Sequence, residues 1–280
     1  MKFDDLDTQM RVYETAADYC VLPGIYIVAR LDGRNFTTLT KEKADLKNKI
    51  KHETNFCEKF EAPFDTRFRD MMIETAKHLM NCGFKVTYAY TESDEISLLF
   101  DIDIDLFGRK ERKYNSVLAG EASAKFSLLY NGIAAFDCRI CQLPNKKTVV
   151  DYFRWRSEDA HRNALSAHCY WMLRKENYSK KEAAKFIEHK TAAEKNELLF
   201  TRGINFNDLP NWQKRGVGLY WVKTEKTGFN PKDNTQVQAD RLRLHTDLDL
   251  PMREEYSGFI LKMLEAANNS ASDCSVKSEE

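Results

Sequence analysis

Two short carboxylate-bearing segments carry the chemistry that this chain is best equipped to perform. Arg30-Leu31-Asp32-Gly33-Arg34-Asn35-Phe36 sets a carboxylate beside a glycine, and Tyr90-Thr91-Glu92-Ser93-Asp94-Glu95 places three acids within four positions. A carboxylate next to backbone that a ligand can approach closely is a hard-oxygen site suited to Mg²⁺. The plain alternative is an Asp-Gly turn at a strand's end. Crowded like charges repel, so the second segment needs a cation, either Mg²⁺ or a neighbouring Lys or Arg, unless it is a solvated hairpin tip. If Asp32 and Asp94 converge, they can hold two metal ions about 3.5–4 Å apart, the arrangement that phosphoryl and nucleotidyl transfer uses. A leaving pyrophosphate also needs cationic partners. Arg109, Lys110, Arg112 and Lys113 cluster at the start of a helical segment and are candidates for that task.

A third constellation, Trp155 to Asn163, interleaves aromatic, basic and polar residues, which suits contact with RNA backbone and splayed bases. His161, Leu165 and His168 share a helix face there, although a helix histidine is more often an ordinary structural residue. The pair Cys138 and Cys141 has C-x-x-C spacing, but no second pair accompanies it, and the surrounding alternation reads as strand.

The elements that must position these residues follow from periodicity. Gly24 to Leu31 is a β-branched, apolar run and reads as a buried strand ending at Asp32. Pro63 to Cys82 repeats apolar residues at helical spacing and stops at Gly83. Phe84 to Tyr90 and Ile96 to Phe100 read as two strands joined by the acidic connection, Gly108 to Tyr130 as a second helix, and the Cys138 segment as a fourth strand. That order predicts an α+β fold, a ferredoxin-like βαββαβ unit over residues 1–145 with helices on one side of its sheet. In such a sheet the first and third strands are central, which brings Asp32 to Asp94. Residues 146–267 read as a mainly helical part with a short hairpin around Gly216 to Lys223, and 268–280 as a disordered tail.

Composition bounds the rest. With 280 residues, 42% of them hydrophobic, the chain can bury a core without disulfides or structural metal. Lys+Arg 43 against Asp+Glu 43 excludes a uniformly basic coat, so nucleic-acid contacts must come from local patches such as Arg109 to Lys113 and Lys146 to Arg156. No apolar run is long enough for a membrane helix, and the seven cysteines do not form a disulfide framework, which together place the protein in the cytoplasm.

Arg30 to Thr37 (RLDGRNFT), Glu92 to Ser97 (ESDEIS), the F-x-x-x-x-x-K-Y-N-S pattern from Phe107, Trp155 to Asn163, Ala193 to Phe200 (AEKNELLF) and Ile204 to Gly216 (INFNDLPNWQKRG) occur in one order. In these motifs the chain resembles the tRNA-histidine guanylyltransferase family, including its guanylyltransferase-like members that add nucleotides in the 3′ to 5′ direction. The resemblance runs over roughly residues 1–225. It implies a polymerase- and cyclase-type palm, with ATP activating a tRNA 5′-monophosphate and the 3′-hydroxyl of GTP then attacking it. It further implies that Asp32 and Asp94, with the Gly33 carbonyl, bind two Mg²⁺, and that Arg34, Asn35, Phe36, Thr37 and Ser93 line the nucleotide. Glu95 would support the hairpin, and Lys110 and Lys113 would reach triphosphate oxygens. His161, Asn163, Lys195 and Asn196 would meet the tRNA end or a second nucleotide, and the assembly would be a homotetramer, a dimer of dimers.

Two departures qualify the likeness. The family's His-Ile-Asn-Asn-Leu-Tyr-Asn motif is His161-Arg162-Asn163-Ala164-Leu165-Ser166-Ala167 here, which favours templated, repair-like addition over selective addition to histidine tRNA. The family lysine before the proline near the first helix is Ala62, with Lys59 as its nearest substitute. A nucleotide cyclase on the same palm, or a tRNA-binding relative without catalysis, are the competing expectations.

Overall fold

The computed structural model of the protein describes residues 2–36, 60–229 and 236–275, with the backbone alone for 225–229, 236–240 and 266–275; Thr37 and Lys59 lie outside the described residues. After helix α1 (Phe3–Thr15) the chain runs β1 (Tyr26–Gly33), α2 (Thr66–Asn81), β2 (Val86–Glu92), β3 (Glu95–Phe100), α3 (Glu111–Tyr130) and β4 (Phe136–Leu143). The strands pair antiparallel in the spatial order β4-β1-β3-β2, with β1 and β3 central. This is the expected βαββαβ palm.

Alternation along the central strands decides what each sheet face buries. Ile27, Ala29 and Leu31 point towards α2 and α3, where Phe36, Phe68, Met72, Leu118 and Phe126 complete one core. Tyr26 and Val28 point the other way. They join Tyr88, Tyr90 and Leu99 in a second core against α4 (Lys146–Lys175) and α8 (Arg253–Ser275), through Val149, Tyr152, Phe153, Tyr256 and Ile260. The sheet is therefore covered on both faces, not on one. The physical reason is composition: both faces of β2 and β3 are apolar along most of their length, so leaving one in water would expose a large hydrophobic surface.

The hairpin is the second difference. Strands β5 (Val217–Phe229) and β6 (Gln236–Asp247) are long, and β5 pairs with β2, which makes a six-stranded sheet in the order β4-β1-β3-β2-β5-β6. The chain after residue 145 thus returns to widen the palm sheet. Between α4 and β5 lie α5 (Lys180–Ile187), α6 (Ala192–Phe200) and the short α7 (Asn211–Arg215), which pack on the end of α4 through Leu165, Cys169, Leu199 and Phe206. Helix α8 continues through residues 268–275, part of the segment expected to be disordered; 276–280 lie outside the described residues. Among the described residues no helix is long and apolar enough to cross a membrane. Cys138 packs in the first core and Cys141 against the second, so the C-x-x-C pair straddles the sheet and forms no joint site.

Helix α2 starts at a buried N-cap. The Asp65 carboxylate accepts from the Arg67 amide (2.7 Å), the Glu61 amide (2.7 Å) and the Arg67 guanidinium (2.7 Å). Burial alone raises such a carboxyl, but these bonds outweigh it and hold Asp65 at about 2. Because the folded-state value lies below the unfolded one, the stabilisation is present above about pH 4 and is lost as pH falls through about 2. Asp65→Ala is expected to cost about 1–2 kcal/mol at neutral pH. Urea melts of both proteins from pH 7 to pH 2 should converge at the acid end.

Candidate active site

Strand β1 ends and the β2–β3 hairpin turns at the same edge of the sheet. The register pairs Asp32 with Glu95, and the Gly33 amide donates to the Asp94 carbonyl (2.9 Å), so Asp32 and Asp94 are brought together as their segments predicted. The hairpin is tighter than expected, with only Ser93 and Asp94 between the strands. Ser93 takes a left-handed conformation (φ 51°), and its hydroxyl donates to the Asp94 carboxylate (3.1 Å). Gly33 is needed for a reason the sequence did not give: a Cβ there would lie 2.6 Å from the Phe36 ring. Phe36 itself is 1% exposed and packs on Phe68, Phe126 and Phe136, so it forms the floor of the site and not an exposed stacking face. Arg34 and Asn35 are exposed in the turn after β1.

The electrostatics are one-sided. Alternation puts Arg30, Asp32, Glu92 and Glu95 on the sheet face that meets α4, where Arg156 and Asp159 approach them. Glu95 is buried and bound by two arginines. Arg156 grips it in a fork, Nε to Oε1 at 2.7 Å and Nη2 to Oε2 at 2.8 Å, while Arg30 reaches Oε2 at 2.5 Å. Trp155 stacks on the Arg156 guanidinium at 4.6 Å, and Asp159 lies 3.4 Å from it. Five carboxylates, counting Asp32, Glu92 and Asp94, thus face two guanidiniums. Burial and the neighbouring Glu95 charge push the Glu92 carboxyl up to about 8. Burial also raises Asp94, and the Asp32 charge adds to the effect. Such a deficit of positive charge is what divalent cations would fill. Among the described residues no three His, Cys, Asp or Glu side chains gather around one point. Two carboxylates with a peptide carbonyl fit Mg²⁺, which keeps several waters and shares substrate phosphates.

Beside this turn opens a cavity of about 860 Å³. Ser93 and Asp94 line one end; Phe64, Tyr170 and Trp212 give it aromatic walls, and Asn163 and Ser166 add polar groups. Lys195 lies behind the wall, donating from Nζ to Ser166 Oγ (3.0 Å). His161 and Asn196 are elsewhere. They share a separate cavity of about 400 Å³ with Phe200, Asn205 and Asn207 on another side of α4. The His161 ring meets Phe206 edge-on at 5.3 Å, and burial together with the Lys214 and Arg215 charges lowers its pKa, favouring the neutral imidazole. The four helical-part candidates therefore divide between two places.

The basic cluster is misplaced relative to expectation. Arg109 is 5% exposed and donates to the carbonyls of Val21, Ile25, Ile102 and Ile104, at the start of β1. Ile25 and Asp32 are separated by the length of β1, roughly 20–25 Å at the usual strand rise. Lys110 and Arg112 pair with Asp18, and Lys113 lies over the Phe107 ring. Lys110 and Lys113 thus cannot reach the carboxylate turn of their own chain, because α3 begins at the opposite end of the sheet, beside Cys20 and Val21 before β1. Three of the four basic residues from Lys146 to Arg156 are also paired: Lys147 with Asp151, Arg154 with Glu158 and Glu254, and Arg156 with Glu95. The sequence reading missed the Arg30–Glu95–Arg156 cluster. Half of it was legible, since Arg30 lies two residues before Asp32 and so shares its strand face.

Comparison with known proteins agrees with this geometry. Residues 50–144 match the family profile described as tRNAHis guanylyltransferase, and residues 147–253 match the Thg1 C terminal domain. The tRNA(His) guanylyltransferase of Schizosaccharomyces pombe is 32% identical over 213 residues, covering 72% of this chain and 75% of that protein. That of Debaryomyces hansenii is 31% identical, covering 79% and 84%. Among solved structures, a bacterial tRNA(His) guanylyltransferase-like protein in complex with ATP superposes with a TM-score of 0.68 at 25% identity, covering 92% of this chain and 99% of its own. The same description in complex with GTP gives 0.66 at 26% identity over 93% and 99%. With both halves of the family matched in order and the paired carboxylates at the head of the palm, the chain belongs to the tRNAHis guanylyltransferase family.

Proposed function

We propose that the protein is a nucleotidyltransferase that adds guanylate or other nucleotides to the 5′ end of tRNA in the 3′ to 5′ direction. In the first step a 5′-monophosphate oxygen of the RNA attacks the α-phosphorus of ATP; pyrophosphate leaves and an adenylylated end forms. The 3′-hydroxyl of GTP then attacks the RNA's 5′ phosphorus, and AMP leaves as the new phosphodiester forms. The observation that carries this reading is the pairing of Asp32 with the Ser93–Asp94 turn beside a cavity large enough for a nucleotide.

Asp32, Asp94 and the Gly33 carbonyl are the groups that would hold Mg²⁺. When bound, the ions supply charge neutralisation at the phosphates and acidify the attacking hydroxyl. The chain's own residues do the rest. Phe64, Tyr170 and Trp212 offer faces for a purine, Arg34 and Asn35 are exposed in the turn after β1, and Glu95 with its two arginines fixes the hairpin turn. In this reading residues 1–145 are the catalytic palm, and 146–267 receive the tRNA. The altered motif at His161 to Ala167 favours templated repair of truncated ends over a single addition to histidine tRNA. A truncated tRNA with a 5′-monophosphate should gain nucleotides with ATP, GTP and Mg²⁺; binding without any extension across several tRNAs would overturn the reading.

We assign the protein to the cytoplasm, in keeping with five free cysteines among the described residues. A homotetramer is supported by α1. Phe3, Leu6, Met10 and Tyr13 form a continuous helical stripe, and none of α1 is buried among the described residues. Light scattering should show that Leu6→Asp with Met10→Asp reduces the assembly, with an unchanged circular dichroism spectrum; an unaltered mass would remove α1 from the interface.

A further inference from the structure

The charge problem left by the misplaced basic cluster has a solution elsewhere in the fold. A catalytic cavity that handles phosphates and is flanked by five carboxylates needs cations from the protein as well as from metal. Helix α5 lines the same cavity as the aromatic residues and the Ser93–Asp94 turn. Lys181, Ala184, Lys185 and Ile187, with Glu188 just past its end, line the cavity. A helix that lines a cavity ordinarily presents apolar residues to it. This one presents two lysines four residues apart.

Both lysines are exposed, and no acid among the described residues is paired with either. The nearby acids are engaged otherwise. Glu182 closes the capping box with Ser179 at the start of α5, and Glu188 lies 3.7 Å from His189. The helix is held by its own N-cap and by buried Ala183, so the lysines are carried on a fixed support. Long, mobile ammonium groups at the exposed rim suit a phosphate that arrives from outside on a large molecule. The triphosphate of a bound nucleotide belongs instead at the carboxylate turn, with the metal ions.

Resting on the nucleotidyltransferase reading above, we propose that Lys181 and Lys185 form the receptor for the 5′-terminal monophosphate of the RNA substrate. They hold the phosphate by charge-assisted hydrogen bonds in the cavity that Asp94 also lines, so that its oxygen can meet the activating nucleotide. The Mg²⁺-binding residues are shared with every step of the reaction, whereas this lysine pair is needed only when an RNA end is present.

The test uses the full-length protein and two forms of one truncated tRNA, bearing either a 5′-monophosphate or a 5′-hydroxyl. Fluorescence anisotropy reads RNA affinity, and calorimetry reads ATP affinity. The wild-type protein is expected to prefer the phosphorylated RNA by about tenfold. Lys181→Gln with Lys185→Gln should erase that preference, with affinity for the hydroxyl form and for ATP unchanged. Lys181→Arg with Lys185→Arg should retain it. The dependence of binding on salt should become shallower by about one to two in the log–log slope for the glutamine variant. A preference that survives the glutamine substitutions, an absent preference in the wild type, or a loss confined to ATP affinity would each overturn the proposal. Wild-type protein that distinguishes the two RNAs through these lysines but never extends either would leave the receptor standing and sink the nucleotidyltransferase reading.

Discussion

Asp94→Asn and Asp32→Asn are each expected to reduce nucleotide addition at least a thousandfold, equivalent to about 4 kcal/mol of lost transition-state stabilisation. The fold should survive. The Gly33 amide donates to the Asp94 backbone carbonyl, which the substitution keeps, and Asp94 carries a carboxyl that burial and the Asp32 charge hold above its ordinary range. Removing one of several crowded like charges relieves repulsion, so the metal-free variant should melt at or above the wild-type temperature. Mg²⁺ should raise the melting temperature of the wild type and do so less in either variant. Loss of activity with unchanged or raised stability is the signature of a site whose charges are kept for function. Activity retained by both variants would falsify the metal assignment.

The second large effect is expected at Arg156. Its guanidinium is buried, makes two parallel bonds to Glu95 and carries Trp155 on its face. Arg156→Met removes one partner of a buried ion pair and leaves Glu95 with Arg30 alone, at a cost of about 3–5 kcal/mol. Chemical denaturation should record that loss. Because Glu95 opens β3 directly after Asp94, the same substitution should lower kcat more than it raises KM for ATP. Arg156→Lys keeps the charge but not the fork, so it should recover stability only in part. A double-mutant cycle with Glu95→Gln separates the pair from its surroundings: strong coupling, with the double variant less damaged than the sum of the singles, is the expected outcome. Additive losses would show that Arg156 matters for packing on Trp155 and not for holding the turn.

Both predictions rest on features of different legibility. The carboxylate pair could be read from the chain because every step was local. Strand alternation, an acidic two-strand connection and two helices at their own periods fixed the order of elements, and that order fixes which strands are central. Once β1 and β3 are neighbours, Asp32 and Asp94 have no other place to be. Asp65 is of another kind: the apolar spacing starts the helix at Pro63, and only the structure begins α2 at Thr66 with Asp65 as its N-cap.

Where cations would fall was not local. Arg109 to Lys113 looked like a phosphate site by composition, yet α3 begins at the far end of the sheet, where Arg109 spends its donors on four carbonyls and Lys110 and Arg112 on Asp18. Charge in a sequence carries no sign of which partner will neutralise it; that depends on contacts such as Arg156 to Glu95, sixty-one positions apart. The same holds for His161 and Asn163, two residues apart on one helix but facing different cavities. Residue types and their periods determined the palm, the family and the paired acids. Long-range packing alone decided that β5 would widen the sheet, that α4 would deliver Arg156 to the carboxylate turn, and that lysines at the cavity would come from α5, because burial and pairing are properties of surfaces that exist only once the chain is folded.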